Sequence, residues 1–262
     1  MIIVRGARIA ICQLALSAVL VTLLPGCGPP AAVSIPPPGK LQSRGVGAYR
    51  ETVVVPEVGS VRYAVHVPET YDGETAVPLV LMLHYGYEGA VPEPYTGGDM
   101  IETFLQGTIE LEAVTIAPDV VGGDWTSARN ETAAVWLVQS AMQTWNINPE
   151  RVVVGGYSMG GEGAWFLGSR HQELFTAAVP IAAPVAGGAD WKIPVYVIHS
   201  DADDVVSYQA ARSHTEAAKA AGANVVFQTA NGLSHYDTQR YFPYFVEAAR
   251  WLQTQWEQEP GR

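Results

Sequence analysis

Residues 151–163 read RVVVGGYSMGGEG. Three consecutive valines, branched at Cβ and stiff at χ1, favour a strand. Two glycines end the run, and Ser158 then sits between Tyr157 and Met159, with Gly160, Gly161 and Gly163 close behind. Gly156-Tyr157-Ser158-Met159-Gly160 has the form G-x-S-x-G. Taken bare, that form arises easily by chance in a chain this rich in glycine. Its setting is more specific, because a β run precedes it and a helix-compatible stretch, GEGAWFLGSRH (161–171), follows it. Lifting a hydroxyl clear of a sheet on so tight a turn strains the serine backbone and leaves no room for neighbouring side chains. Glycine is therefore expected on both sides. A helix opening at the next residue would bring free N–H groups and the positive end of its dipole to the same spot, an arrangement suited to an oxyanion.

Working outward, apolar β-rich runs recur. LVLML (79–83) is a solid apolar run, the pattern of a strand covered on both faces, and AVTIAP (113–118), AAVPIAA (177–183), VYVIHS (195–200) and VVFQTA (225–230) are similar. ETVVV (51–55) and VRYAVHV (61–67) flank a Gly-Ser turn and read as an opening hairpin. Helical spacing fills the gaps at 131–145, about 160–170, 208–221 and 238–256. In the first of these Ala134, Val135, Leu137, Val138, Ala141, Met142 and Trp145 recur on one side. Strands alternating with helices predict one α/β domain over 49–258, with a mostly parallel central sheet, an N-terminal antiparallel hairpin and helices on both faces. Sites in such sheets form beyond the carboxyl ends of the strands.

Ser158 lies at such an end and needs a base to take its proton. Of six histidines, His235 lies in NGLSHYD (231–237), a glycine-containing loop between the last strand and the last helix, which makes it the candidate base. An acid must orient and charge-balance that imidazole. HSDADDVV (199–206) offers Asp201, Asp203 and Asp204 after a strand, and residue chemistry alone leaves the three open.

The chain of 262 residues is 48% hydrophobic and 16% charged with a formal charge of −11, so a large core is expected and nucleic-acid binding is not. Its start is a targeting pattern: Arg5 and Arg8, an apolar run from about Ile9 to Leu24, then Leu24-Pro25-Gly26-Cys27, a lipobox-like ending. Residues 1–26 are expected to be a lipoprotein signal peptide, with Cys27 lipidated and the protein exported and anchored to a bacterial membrane; an uncleaved anchor is the alternative. Residues 27–48 are expected to be a Pro-rich tether. Cys12 and Cys27 are the only cysteines, so the domain is expected to hold neither disulfides nor thiolate metal sites. No metal-ligand cluster or phosphate-cradling motif is evident, and no cofactor is expected.

On these residues the domain resembles the α/β-hydrolase superfamily, notably its dienelactone hydrolase-like, phospholipase/carboxylesterase-like and prolyl-oligopeptidase-like serine hydrolases. The resemblance spans roughly residues 60–256 and is carried by PLVLMLHYGYEG (78–89), TIAPDVVGGDWT (115–126), INPERVVVGGYSMGG (147–161), PVYVIHSDADDVV (194–206) and NGLSHYDT (231–238). The order Ser158, Asp203, His235 is that of the superfamily. Its H-G-x-x-D-x-x-V pattern falls on His199, Ser200, Asp203 and Val206, which implies Asp203 as the acid, with serine at position 200 where glycine is usual. The resemblance further implies an oxyanion hole from the N–H of Met159 and that of Gly86, or of Tyr87 if the loop shifts by one. Tyr85 and Tyr87 are candidates for the pocket rim and Trp125 for its wall, each alternatively a packing residue. The implied activity is hydrolysis of small-molecule carboxylic esters. A prolyl-oligopeptidase-like peptidase and a non-catalytic tethered binding protein are the alternatives, and the oligomeric state is left open.

Overall fold

The computed structural model describes residues 32–87, 96–186 and 190–258. The readings of residues 1–26 and of Cys27 lie outside the described residues.

From Val33 onward the chain forms one unit around an eight-stranded sheet. In chain order the strands are β1 (Gly47–Val55), β2 (Gly59–Val67), β3 (Val77–Leu83), β4 (Val114–Pro118), β5 (Ile147–Tyr157), β6 (Ala177–Ile181), β7 (Val195–His199) and β8 (Val225–Thr229). The helices are α1 (Thr96–Glu110), α2 (Ala128–Thr144), α3 (Met159–Arg170), α4 (Tyr208–Ala220) and α5 (Phe242–Gln258), the last preceded by a 3-10 turn at Thr238–Tyr241. Across the sheet the order is β1-β2-β4-β3-β5-β6-β7-β8. The expected hairpin pairs β1 with β2 antiparallel, and β2 joins β4 antiparallel. Every pairing from β4 to β8 is parallel.

The solidly apolar strands follow from two covered faces. On β3, Leu79, Leu81 and Leu83 enter one core while Val80 and Met82 enter the other. On β5, Val152 and Val154 face the first core and Val153 the second. Side chains of α2 and α3 close the first layer and those of α1 and α5 the second, so period-two alternation produces two interiors rather than an inside and an outside.

Two features depart from the expected layout. Helix α1 carries no sequence expectation. Its TGGDMIETFLQGTIE holds three glycines, which depress helix propensity and hide the Met100, Ile101, Phe104 spacing that buries it. Gly107 is a packing residue: a Cβ there would lie 2.2 Å from the ring of Phe245 on α5. The second departure is the tether. Residues expected to be a free spacer through 48 are docked on α2. Gly39 N–H donates to Ser140 Oγ (3.1 Å) and Leu41 N–H to Thr144 Oγ1 (2.9 Å). Trp136 and Trp145 donate their indole N–H groups back to the carbonyls of Pro37 and Arg44. Polar side chains and an indole of α2, with the indole of Trp145 just past its end, thus satisfy backbone groups of a segment too proline-rich to join the sheet.

Candidate active site

Strand β5 delivers Ser158 beyond the carboxyl edge of the sheet, and α3 begins at the next residue. Ser158 has φ 54° and ψ −118°, a conformation that costs an L-residue on the order of 1–3 kcal/mol. Its backbone is fixed from both sides, Ser158 N–H donating to Ile181 O and Glu162 N–H to Ser158 O, each at 2.9 Å. The glycines allow the end of β3 to press against the turn. A Cβ on Gly160 would lie 2.0 Å from Leu83 O, and one on Gly156 would lie 2.2 Å from Gly160 O. No side chain fits either place.

Three side chains scattered in sequence meet here. Ser158 Oγ is 2.9 Å from His235 Nε2, and His235 Nδ1 is 2.8 Å from Asp203 Oδ2. The Asp203 carboxylate is fully covered, whereas Ser158 remains half-buried and open to a ligand. Asp203 Oδ1 accepts the N–H groups of Val205 and Val206. Burial pushes the Asp203 carboxyl up, but its bonds from His235, Val206 and Val205 outweigh that and leave it below the usual carboxylate range. It therefore stays ionised wherever a histidine is neutral, and the stability its ionisation contributes, present above the unfolded value, is lost only as pH falls through the lowered one. A carboxylate can only accept, so Nδ1 carries the imidazole proton and the Nε2 lone pair faces the serine hydroxyl. Of the other two aspartates, Asp201 is exposed and binds Gly232 N–H through Oδ1 (2.8 Å), and Asp204 is exposed.

The loop after β3 adjoins the elbow. A Cβ on Gly86 would stand 3.5 Å from the Met159 side chain, which sets the loop backbone beside the opening turn of α3. His84, which its place at a strand end marks as structural rather than catalytic, organises that loop. It is fully buried and accepts Val120 N–H on Nε2 (3.1 Å), so its Nδ1 holds the proton and donates to Tyr85 O (2.6 Å). Burial, with a smaller push from Arg62 and against the Tyr85 bond, lowers its pKa to about 4, so it stays neutral, as both bonds require.

The three aromatic candidates separate. Tyr85 lines a cleft of about 1130 Å³, whose walls include Asp99, Glu102, Tyr236, Arg240 and Phe242. Tyr236 follows His235 directly, its ring centroid 5.7 Å from the imidazole. Tyr87 instead stacks on His84 at 5.4 Å. Trp125 is core rather than pocket wall: it is 1% exposed and its indole N–H holds His84 O at 2.9 Å. Its GDWT setting at a strand end gave no sign that the ring turns inward. Among the described residues no cluster of histidine, cysteine, aspartate or glutamate could hold a metal ion.

Comparison with known proteins agrees with this architecture. A thermostable esterase shares 23% identity at a TM-score of 0.65, over 79% of this chain and 62% of its own; the chain thus spans under two thirds of that protein. Est1E from Butyrivibrio proteoclasticus shares 15% at 0.61, over 80% and 99%. The propionate-bound esterase Est2 from Thermogutta terrifontis shares 16% at 0.63, over 82% and 97%. At such identities the likeness concerns the fold, which is that of an α/β hydrolase. No curated protein matches the chain. Residues 62–257 match the model of the dienelactone hydrolase family, three quarters of the sequence and all the strands that carry the site, and the chain belongs to that family.

Proposed function

We propose that the protein is a membrane-tethered serine esterase acting on small carboxylic esters through an acyl-enzyme. The observation that carries this reading is the hydrogen-bonded file Asp203–His235–Ser158 at 2.8 and 2.9 Å on a strained strand-to-helix turn.

His235 Nε2 takes the Ser158 proton as Oγ attacks the ester carbonyl, and the imidazolium that forms is balanced by Asp203. Charge on the carbonyl oxygen is met by the N–H of Met159, at the positive end of α3, and by the N–H of Gly86 or Tyr87 from the loop that His84 fixes. Collapse of the tetrahedral adduct expels the alcohol with the proton from His235. Water, deprotonated by the same imidazole, then releases the acid and restores Ser158. The cleft beside Tyr236 gives the ester's outer portion a place to lie.

That cleft also predicts selectivity. Asp99, Glu102 and Asp237 set three carboxylates against Arg240, and Arg50, 3.6 Å from Glu102, is not among the lining residues. Burial and Glu102 already raise the Asp99 pKa. An ester bearing a free carboxylate should show kcat/KM at least about tenfold below a neutral ester of equal size, a like-charge effect screened by salt. Equal values for the pair in low salt would place the outer group elsewhere.

The direct test of the reading is turnover of a panel of short p-nitrophenyl esters beside dipeptide p-nitroanilides. Ester turnover with no anilide turnover is expected. The reverse preference would make the protein a peptidase, and turnover of neither would make it a binding protein. For the tether, Cys27→Ser in the full chain should move the protein from the membrane pellet to the soluble fraction; retention in the pellet would favour an uncleaved N-terminal anchor. Among the described residues no helix is long and apolar enough to cross a membrane.

A further inference from the structure

His235 sits on an irregular loop, residues 230–237, and an irregular loop is a poor platform for an imidazole that must face a hydroxyl within a few tenths of an ångström. Its second half is tied within itself by Ser234 and Asp237 and the His235 carbonyl is held by the Tyr157 hydroxyl, which leaves the first half, residues 230–233, to be fixed from outside. The acid's loop leaves β7 next door, and one residue at the junction, Ser200, bonds to both. The Ser200 side chain is completely buried. Its Oγ accepts the N–H of Ala202 (3.1 Å) within the acid's loop and the N–H of Leu233 (3.0 Å) within the base's loop, two residues from His235. Its carbonyl accepts the N–H of Asp203 itself (3.3 Å). Asp201 repeats the cross-link one step out, through Oδ1 to Gly232 N–H at 2.8 Å.

We infer that Ser200 is a positioning residue: its hydroxyl fixes the spacing between the loop that carries the acid and the loop that carries the base. The inference rests on the triad reading above. Serine stands here where the resembled pattern has glycine, and glycine could not make this bond. Leu233 is 3% exposed, so without Ser200 Oγ its N–H would lose this acceptor away from water, and the loop would move to find another. Asp201, one of the three aspartates that residue chemistry left open as the acid, gains a different role as the outer tie of the same latch.

The test is steady-state kinetics on a short p-nitrophenyl ester with Ser200→Gly and Ser200→Ala, each checked for a wild-type circular dichroism spectrum. Displacement of a catalytic group by even part of an ångström is costly, so kcat should fall about tenfold to a hundredfold with KM within about twofold. A residue that merely supported the fold would lower the melting temperature and leave kcat per folded molecule unchanged. Asp201→Ala should lower kcat in the same way, and Asp201→Asn, which keeps the acceptor oxygen, should recover it. This second pair decides the matter if the Ser200 variants do not fold. A kcat within twofold of wild type in folded Ser200→Gly, or in Asp201→Ala, would overturn the inference while leaving the triad intact. Absence of turnover and of fluorophosphonate labelling in the wild-type chain would instead overturn the serine-hydrolase reading, and this inference with it.

Discussion

Ser158→Ala should lower kcat on short p-nitrophenyl esters by about 10⁶-fold, to the residual rate that binding and oxyanion contacts alone sustain. The size of the loss follows from the role proposed for this oxygen, because every covalent step passes through it. The loss should come without unfolding. The Ser158 side chain has His235 as its hydrogen-bond partner, and the bonds that hold the turn, to Ile181 O and from Glu162 N–H, belong to the backbone. Alanine at φ 54° bears the same strain as serine. The melting temperature should therefore stay within a few degrees while activity vanishes, and a variant that retains wild-type turnover would remove Ser158 from the mechanism.

Asp203→Asn should cost about 10⁴-fold in kcat, the scale on which a histidine held in the wrong tautomer fails. The Asp203 side chain is fully covered and meets His235 Nδ1 at 2.8 Å on one oxygen and two backbone N–H groups on the other. The two N–H groups favour the amide oxygen on their side, which turns the amide NH₂ toward Nδ1. Nδ1 would then have to accept, placing the ring proton on Nε2, where it confronts the serine hydroxyl. Asp201→Asn preserves the acceptor to Gly232 and should change kcat by less than about threefold. His199 also approaches Asp203 Oδ2, at 3.4 Å, so Asp203→Asn rearranges a buried pair as well. Comparison of melting temperatures separates that cost from the kinetic one. If the asparagine at 201 proved the damaging one, the acid would have to be reassigned to Asp201.

The fold was legible wherever hydrophobic spacing was clean. Strands β3 to β7 announce themselves as short apolar runs because both faces of a parallel sheet are covered, β8 at the sheet edge is only partly covered, and α2 shows its buried stripe without interruption. Helix α1 stayed hidden because the glycines that let it lie against Phe245 are the same residues that erase a helical signature. The docking of residues 35–44 on α2 was hidden for another reason: it depends on indole and hydroxyl bonds to backbone about a hundred positions away, and composition reports only that the segment is proline-rich. At the site, Ser158 and His235 could be picked out from local motif and loop position. Asp203 could be separated from its neighbours only through the resemblance, since three aspartates within four positions share one loop. His84 and Ser200 act by holding other groups in place, and the orientation of a buried hydroxyl or ring nitrogen leaves no trace in a single sequence. The same limit explains Trp125, whose polar edge faces the His84 carbonyl rather than the cleft.

Asp203, His235 and Ser158 are proposed to make one activated nucleophile. The most direct test is treatment of the folded protein with a fluorophosphonate, digestion, and mass spectrometry of the labelled peptide. A single adduct on Ser158 is expected, formed in the wild type and in Asp201→Asn, and slowed by orders of magnitude in Asp203→Asn. Absence of an adduct, or an adduct on another residue with Ser158 unmodified, would contradict the proposal.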